Sequence, residues 1–358
     1  MSGARVLVID DSALMRKHLR SILESGGYEV DTARNGKEGL EKVELFNPQV
    51  VSLDINMPVM DGITCLSLIM QNAPRPVVMV SSLTEKGALA TFEALQLGAV
   101  DYVAKPGGTV SINIKDVSAD LLEKVGAAAK TRINRGHGLR TRLRVQREAA
   151  ETAPLKRQRR PSGRAQATNA DVVLMGVSTG GPSTIEEIVL GLPADFPVPI
   201  VVAQHMPQRF TKVFADRLNK ITPLTVKEVS GPTELVAGEV LIAQGDADIK
   251  LIRRAGRLMA TSIPADPGYV WHPSVERLVE SADALLPADR MICVQLTGMG
   301  NDGAAKMSEL HTRGTRTIAE SEETAVVYGM PRELIELGGA EVTLPSYKVA
   351  DQLISWVM

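Results

Sequence analysis

Three short segments place a hydroxyl, an imidazole and a carboxylate where they could carry out acyl transfer. The first is Val172-Val173-Leu174-Met175-Gly176-Val177-Ser178-Thr179-Gly180-Gly181-Pro182, an apolar strand running into a glycine-rich turn. Pro182 suits the first turn of a following helix. Gly176-x-Ser178-x-Gly180 has the spacing of a nucleophile elbow, which exposes a serine oxygen at a helix N-terminus. A glycine-rich turn there could instead cradle phosphate, but the spacing is neither that of a dinucleotide fingerprint nor that of a P-loop.

A nucleophilic serine needs a base, an acid that orients the base, and donors for the oxyanion. The chain has five histidines. His205 directly follows the strand-like run PVPIVVAQ, so the topology can bring it to Ser178. His18 falls on a helical stretch, His137 in a basic segment and His311 on an amphipathic helix. His272 precedes Pro273 at a helix start, where a surface or capping role is equally open. The acid is sought in Leu296-Thr297-Gly298-Met299-Gly300-Asn301-Asp302-Gly303, another strand end entering a glycine-rich turn. Asp302 there could orient the imidazole, or simply cap the helix that follows. The order Ser178, His205, Asp302 differs from the serine, acid, histidine order of α/β-hydrolases. Only one strand of this half precedes the serine, so the hydrolase fold is disfavoured.

The first half of the chain holds a different set. Asp10-Asp11, Asp54, Ser81 and Lys105 each close a strand-like run, and ligands of parallel α/β sheets sit at those carboxyl ends. Converging carboxylates repel one another and need a cation. Oxygen ligands with water suit Mg²⁺. One carboxylate could then attack a phosphoryl group while Lys105 holds its oxygens. Ser81 could hydrogen-bond a phosphoryl oxygen, and a cis bond before Pro106 would aim Lys105 inward. The competing view is that acids at strand ends only cap helices, as Asp11 could do before Ser12-Ala13.

Strands must position all of these groups. Arg5–Ile9, Val30–Ala33, Val50–Leu53, Val77–Val80 and Asp101–Ala104 read as strands, with helices at Ala13–Ser25 and Gly36–Phe46. After residue 168 the strand-like runs are Val172–Gly176, Pro199–Ala203, Gly238–Ile242 and Met291–Gln295. Helical stretches follow at Ser183–Leu190, Arg209–Lys220, Pro273–Ala282 and Gly303–Arg313. Such alternation predicts two α/β domains with mostly parallel, doubly wound sheets. Between them, residues 131–168 hold eleven Lys/Arg against two Glu, with Pro154 and Pro161, and read as a basic linker. The expected domains are therefore 1–130 and 169–358.

Composition narrows the function classes. Of the 358 residues 44% are hydrophobic and 23% charged, an ordinary globular balance, and the net charge of −2 shows no bias toward nucleic acid or anionic membrane. Cys65 and Cys293 lie far apart in apolar runs, which fits neither a disulfide framework nor a zinc site. With no signal-peptide pattern and no apolar stretch of spanning length, a cytoplasmic protein without membrane insertion is expected.

The motifs VLVIDDS, LDINMPVMDG, VVMVSS and GAVDYVAKP make residues 4 to about 125 resemble a response-regulator receiver domain of flavodoxin-like fold. The resemblance implies phosphorylation of Asp54 by a histidine kinase, Mg²⁺ on Asp10 or Asp11, Asp54 and the Asn56 backbone carbonyl, and switch roles for Ser81 and Tyr102. Position 56 is often Glu in receivers attached to methylesterases and is Asn here. GVSTGGP, QHMPQRFTKVFADRL, LTGMGNDGA and AESEETAVVYGMPRELIELGGA make residues from about 170 onward resemble the catalytic domain of the chemotaxis protein-glutamate methylesterases, the CheB family. That resemblance implies hydrolysis of glutamyl methyl esters on methyl-accepting receptors, with deamidation of glutamines, by Ser178, His205 and Asp302. The oxyanion donors would be the backbone N–H of Met299 and one from the Ser178–Thr179 turn, assigned to Thr179. The esterase step would use no cofactor, and the protein would be a monomer. GYVWHPSVERL departs from the family's usual HRPSVD, with Trp271-His272 in place of a basic pair, a change expected to bear on receptor choice rather than catalysis. The rivals are a DNA-binding response regulator using the Arg-rich linker and a catalytically dead phosphate sink. No helix-turn-helix pattern follows the linker, and the Ser/His/Asp set is intact.

Overall fold

The structure is a computed structural model that describes residues 3–82, 84–105, 114–131 and 170–358. The chain divides into two compact units, Met1–Gly138 and Leu139–Met358. The basic linker predicted at 131–168, with His137, lies outside the described residues except for its first position, as does Pro106.

The first unit is a five-stranded parallel sheet in the order β2-β1-β3-β4-β5, formed by β1 (Arg5–Ile9), β2 (Glu29–Ala33), β3 (Val50–Asp54), β4 (Val77–Ser81) and β5 (Asp101–Ala104). Its helices are α1 (Ala13–Ser25), α2 (Gly36–Leu45), α3 (Gly62–Asn72), α4 (Glu85–Leu97) and α5 (Ile114–Ala128). The predicted strands match to within one residue at each end. β3 and β4 are buried along their whole length, as continuous apolar runs covered on both faces must be. The N-cap of α1 is Ser12, whose hydroxyl accepts from the Met15 N–H. Asp11 is thus not needed as the cap, and it stays exposed.

The second unit is built on seven parallel strands in the order β15-β14-β13-β6-β7-β10-β8. These are β6 (Val172–Val177), β7 (Ile200–Gln204), β8 (Thr225–Val229), β10 (Glu239–Ala243), β13 (Met291–Gln295), β14 (Arg316–Glu320) and β15 (Val342–Leu344). β6 lies in the middle. The chain first adds β7, runs to the edge with β8, inserts β10 between them, and then returns to the other side of β6 with β13. Its helices are α6 (Gly181–Leu190), α7 (Gln208–Ile221), α8 (Val275–Asp283), α9 (Ala304–Thr312), α10 (Met330–Glu336) and α11 (Ser346–Val357). In α7, Phe210, Phe214, Ala215 and Leu218 form one buried stripe at helical spacing.

β8, β14, β15, α10 and α11 are additional to the predicted elements and continue their alternation, whereas three further strands depart from it. A second, antiparallel sheet joins β11 (Ala247–Arg254), β12 (Arg257–Pro264) and the short β9 (Thr233–Glu234). β11 and β12 form a hairpin whose two-residue turn, Ala255-Gly256, has φ of 49° and 77°. Positive φ at both turn positions matches the right-handed strand twist.

Candidate active site

The carboxyl ends of β13, β6 and β7 are neighbours, and the crossover direction reverses at β6. Open α/β sheets form a crevice at such a point. Ser178 follows β6 and His205 follows β7 at the next step of the same register, since Val177 pairs with Gln204. The Gln204 amide donates to the carbonyls of both Ser178 (2.9 Å) and His205 (3.0 Å), tying the two turns together. Gly180 takes a φ of 79°, which turns the chain from the serine directly into α6. Gly298, from the turn after β13, approaches so closely that a Cβ there would lie 2.7 Å from the Ser178 Cβ.

His205 Nε2 is 2.9 Å from Asp302 Oδ2. A carboxylate can only accept, so Nε2 carries a hydrogen, and in the neutral imidazole Nδ1 then has the free lone pair. Nδ1 is buried and has no hydrogen-bond partner among the described residues. Asp302 also accepts from the N–H groups of Val275 (2.7 Å) and Glu276 (2.9 Å) and from the Ser274 hydroxyl (3.1 Å). Burial penalises its charge, but the bonds from His205 and from the two N–H groups outweigh that and hold its pKa below the usual carboxylate range. Asp302 therefore does cap a helix, but it is α8 and not the helix that follows it in sequence. The orienting and capping roles coexist on its two oxygens.

The turn after β13 is fixed from beneath. Thr297 donates its N–H to Glu320 Oε2 (2.8 Å) and its hydroxyl to the Thr179 carbonyl (2.8 Å). The Gly298 carbonyl accepts from Gly329 (3.1 Å) and Met330 (2.9 Å). No backbone hydrogen bond to a described residue is made by the N–H groups of Thr179 and Met299. Gln204, Gln295 and Glu320 are not among the residues the sequence singles out. Gln204 and Gln295 are each the polar last residue of an otherwise apolar strand, which is the available signal, whereas β14 also carries Arg316 and Thr317 and gives Glu320 no such signal.

Glu320 is fully buried, and burial pushes its carboxyl up to about 7. The folded pKa thus exceeds the unfolded one, and the folded state holds the proton through the range where the unfolded chain releases it. Stability therefore falls as pH rises from roughly 4.5 to about 7 and is level above that, by on the order of 3 kcal/mol in all. Glu320→Gln is expected to flatten this slope. Both tryptophans, Trp271 and Trp356, lie in the second unit, so urea unfolding followed by their fluorescence reads that unit alone. A slope unchanged in the variant would refute the assignment.

In the first unit, β1 and β3 lie side by side where the crossover direction of their sheet reverses. One carboxylate oxygen from each of Asp10, Asp11 and Asp54 falls within 4.8 Å of the others. Lys105 Nζ spans two of them, 2.9 Å from Asp10 and 2.8 Å from Asp54. Burial raises the Asp54 pKa above its ordinary value, against the pull of Lys105. Burial works against the Lys105 ammonium, but Asp54 and Asp10 more than offset it and raise its pKa. The backbone N–H of Asn56 also donates to Asp54. The oxygen-only donor set fits a hard divalent cation. Ser81 is buried and its hydroxyl donates to the Gly87 carbonyl (3.2 Å) at the start of α4. Tyr102 is buried on β5, with the Lys124 ammonium 4.9 Å from its ring centroid. The two cysteines are buried, and burial pushes both thiols up to about 12, which makes them poor nucleophiles at neutral pH.

The architecture is that of a receiver domain followed by an α/β domain with a Ser-His-Asp constellation at its topological switch point. Residues 6–113 match the response regulator receiver domain and residues 173–353 match the CheB methylesterase domain. The chain belongs to the CheB methylesterase family. It is 54% identical to protein-glutamate methylesterase/protein-glutamine glutaminase 3 of Rhodospirillum rubrum, over 99% of this chain and 96% of the relative. It is 43% identical to the protein of the same activity from Archaeoglobus fulgidus, over 99% and 98% respectively. The crystal structure of the Thermotoga maritima CheB methylesterase catalytic domain superposes with a TM-score of 0.50 at 40% identity, covering 52% of this chain and 99% of that one. No helix among the described residues is long and apolar enough to cross a membrane.

Proposed function

We propose that the chain is a phosphorylation-controlled serine hydrolase that removes methyl esters from glutamate side chains of methyl-accepting chemotaxis receptors. The observation that carries this is the His205 imidazole, held by Asp302 through Nε2 while Nδ1 is buried with no hydrogen-bond partner among the described residues, at the end of the strand that neighbours the one leading into Ser178. Nδ1 takes the Ser178 proton as Oγ attacks the ester carbonyl. Negative charge develops on the carbonyl oxygen and is met by the Met299 and Thr179 N–H groups, where one such donor is worth about 10²–10³ in rate. The imidazolium, steadied by Asp302, returns the proton to the departing methoxide, and methanol leaves. Water then attacks the acyl-serine, His205 takes its proton, and the glutamate carboxylate is released as Ser178 recovers its hydrogen. A glutamine side chain would follow the same course with ammonia leaving.

The receiver supplies control. Its phosphoryl donor is a chemotaxis histidine kinase, and Asp54 is the acceptor. Asp10, Asp11, Asp54 and the Asn56 carbonyl would hold Mg²⁺, whose charge would offset that of the phosphoryl oxygens. Lys105 orients the phosphoryl group, and Ser81 and Tyr102 carry the change outward. The protein acts in the cytoplasm as a monomer and needs no nucleic acid.

Methanol release from methylated receptor cytoplasmic domains, with and without a small phosphodonor, tests the activity and its control together. A truncation starting near Gln166 is expected to exceed the unphosphorylated full chain and to ignore the phosphodonor. If the truncation were no more active, inhibition by the receiver would be wrong and activation by a positive contact would replace it.

A further inference from the structure

The loop between β12 and α8 brings a tryptophan to the catalytic histidine. The Trp271 ring lies parallel to the His205 ring, with centroids 5.8 Å apart and 2° between the planes. That is an offset stack within the range of attractive aromatic pairs. The other side of the contact is the oxyanion turn, for a Cβ on Gly300 would come within 2.5 Å of Trp271 Cζ2. The indole thus fills the gap between the base and the turn that carries Met299.

The loop itself is pinned around Trp271. Asp248, at the start of β11, is almost fully buried and accepts from His272 Nδ1 (2.9 Å), the Ser274 N–H (2.9 Å), Arg277 (2.6 Å) and the Asp266 N–H (3.0 Å). Burial disfavours the Asp248 charge, yet His272, Ser274 and Arg277 together keep its pKa below the ordinary value. This buried anchor holds the chain on both sides of Trp271, so the indole is set in place before any substrate arrives. Asp302 is the charged group in direct contact with His205; Glu276 of α8 donates its backbone N–H to Asp302, and Asp248, His272 and Arg277 form the ion-paired cluster that anchors the Trp271 loop.

We propose that Trp271 is a positioning residue for the base: it keeps the His205 ring in line between Asp302 and Ser178 and presents its π face to the imidazolium formed in each proton transfer. The inference rests on the triad reading given above. A cation over an indole face is stabilised, more so where water is excluded, and the charge exists on His205 only after Ser178 has given up its proton. The contribution therefore falls on the transition state and not on ground-state binding. The change from the basic pair to Trp271-His272 bears, on this view, on catalysis as well as on receptor choice.

The test compares Trp271→Leu with Trp271→Phe in the full chain, with a phosphodonor present and methylated receptor domains as substrate. Leucine fills space over Gly300 without a π face, whereas phenylalanine restores one. Trp271→Leu is expected to lower kcat by about 3- to 30-fold with KM unchanged, and Trp271→Phe to recover most of the loss. Equal losses in the two variants, an unchanged kcat in Trp271→Leu, or a loss confined to KM would overturn the proposal. Ser178→Ala separates the two levels. If it is inactive and Trp271→Leu is unaffected, only this inference fails; if it is active, the triad reading fails and this inference with it.

Discussion

Ser178→Ala is expected to reduce methanol release by roughly 10⁴–10⁶-fold while phosphate uptake by the receiver stays intact. The size follows from the mechanism. Without Oγ there is no acyl-serine, and only the donors of Thr179 and Met299 remain to act on a water attack. His205→Ala should be about as damaging, because Nδ1 is the acceptor for the proton that must leave Oγ, and the members of such a set act as a unit. Asp302→Asn is expected to leave more activity than either, but also to lower stability. Asp302 accepts four donors through two oxygens. An amide has one acceptor oxygen, so its NH₂ would face either His205 with the Val275 N–H or the Glu276 N–H with the Ser274 hydroxyl, and a donor at the start of α8 is lost either way. A double loss, in kcat and in unfolding midpoint by Trp fluorescence, is the signature to measure. Wild-type activity in Ser178→Ala would remove the serine from the mechanism altogether.

The second large effect is on phosphorylation. Asp54→Ala should abolish phosphate uptake from a small phosphodonor in Mg²⁺, and phosphate found on Asp10 or Asp11 in the wild type would overturn the assignment. Lys105→Ala has a different expected outcome. Some uptake should persist, uncoupled from methanol release. Its ammonium also bridges two buried carboxylates at 2.8–2.9 Å and offsets part of their repulsion. Removing it leaves Asp10 and Asp54 facing each other, and breaking one side of a buried ion pair costs on the order of 3–5 kcal/mol. Lys105→Ala should thus unfold more easily in EDTA and regain much of the loss when Mg²⁺ is added. If Mg²⁺ had no effect on the variant's midpoint, the carboxylate cluster would not be a cation site.

Much of this was legible before any coordinates. Ser178, His205 and Asp302 each close or follow an apolar strand, and a parallel sheet delivers strand ends to one edge. The same argument found Asp10, Asp54 and Lys105. Local pattern also placed the first five strands, because each is a short apolar run with turn residues on both sides. The β11–β12 hairpin was not recognised, although IKLIRRAGRLMATSI carries alternation around Ala255-Gly256. A helix–strand rhythm on both sides of it masked the change of period.

What the tertiary structure alone decided is which groups meet across long separations in sequence. Asp302 caps α8, which precedes it in the chain, because the reversal at β6 folds β13 back beside the start of that helix. Glu320 reaches Thr297 from the next strand of the sheet, and no local pattern signals that a strand-end glutamate will be buried under the turn that follows β13. Trp271 reads in sequence as a residue on the approach to a helix. Its stacking on His205 depends on Asp248 pinning the loop from another sheet. Residue type and strand position are written locally, so the sequence determined the chemistry available and the sheet edge that displays it. Pairing of polar groups in a buried site depends on sheet order and loop anchoring, which only the folded chain determines.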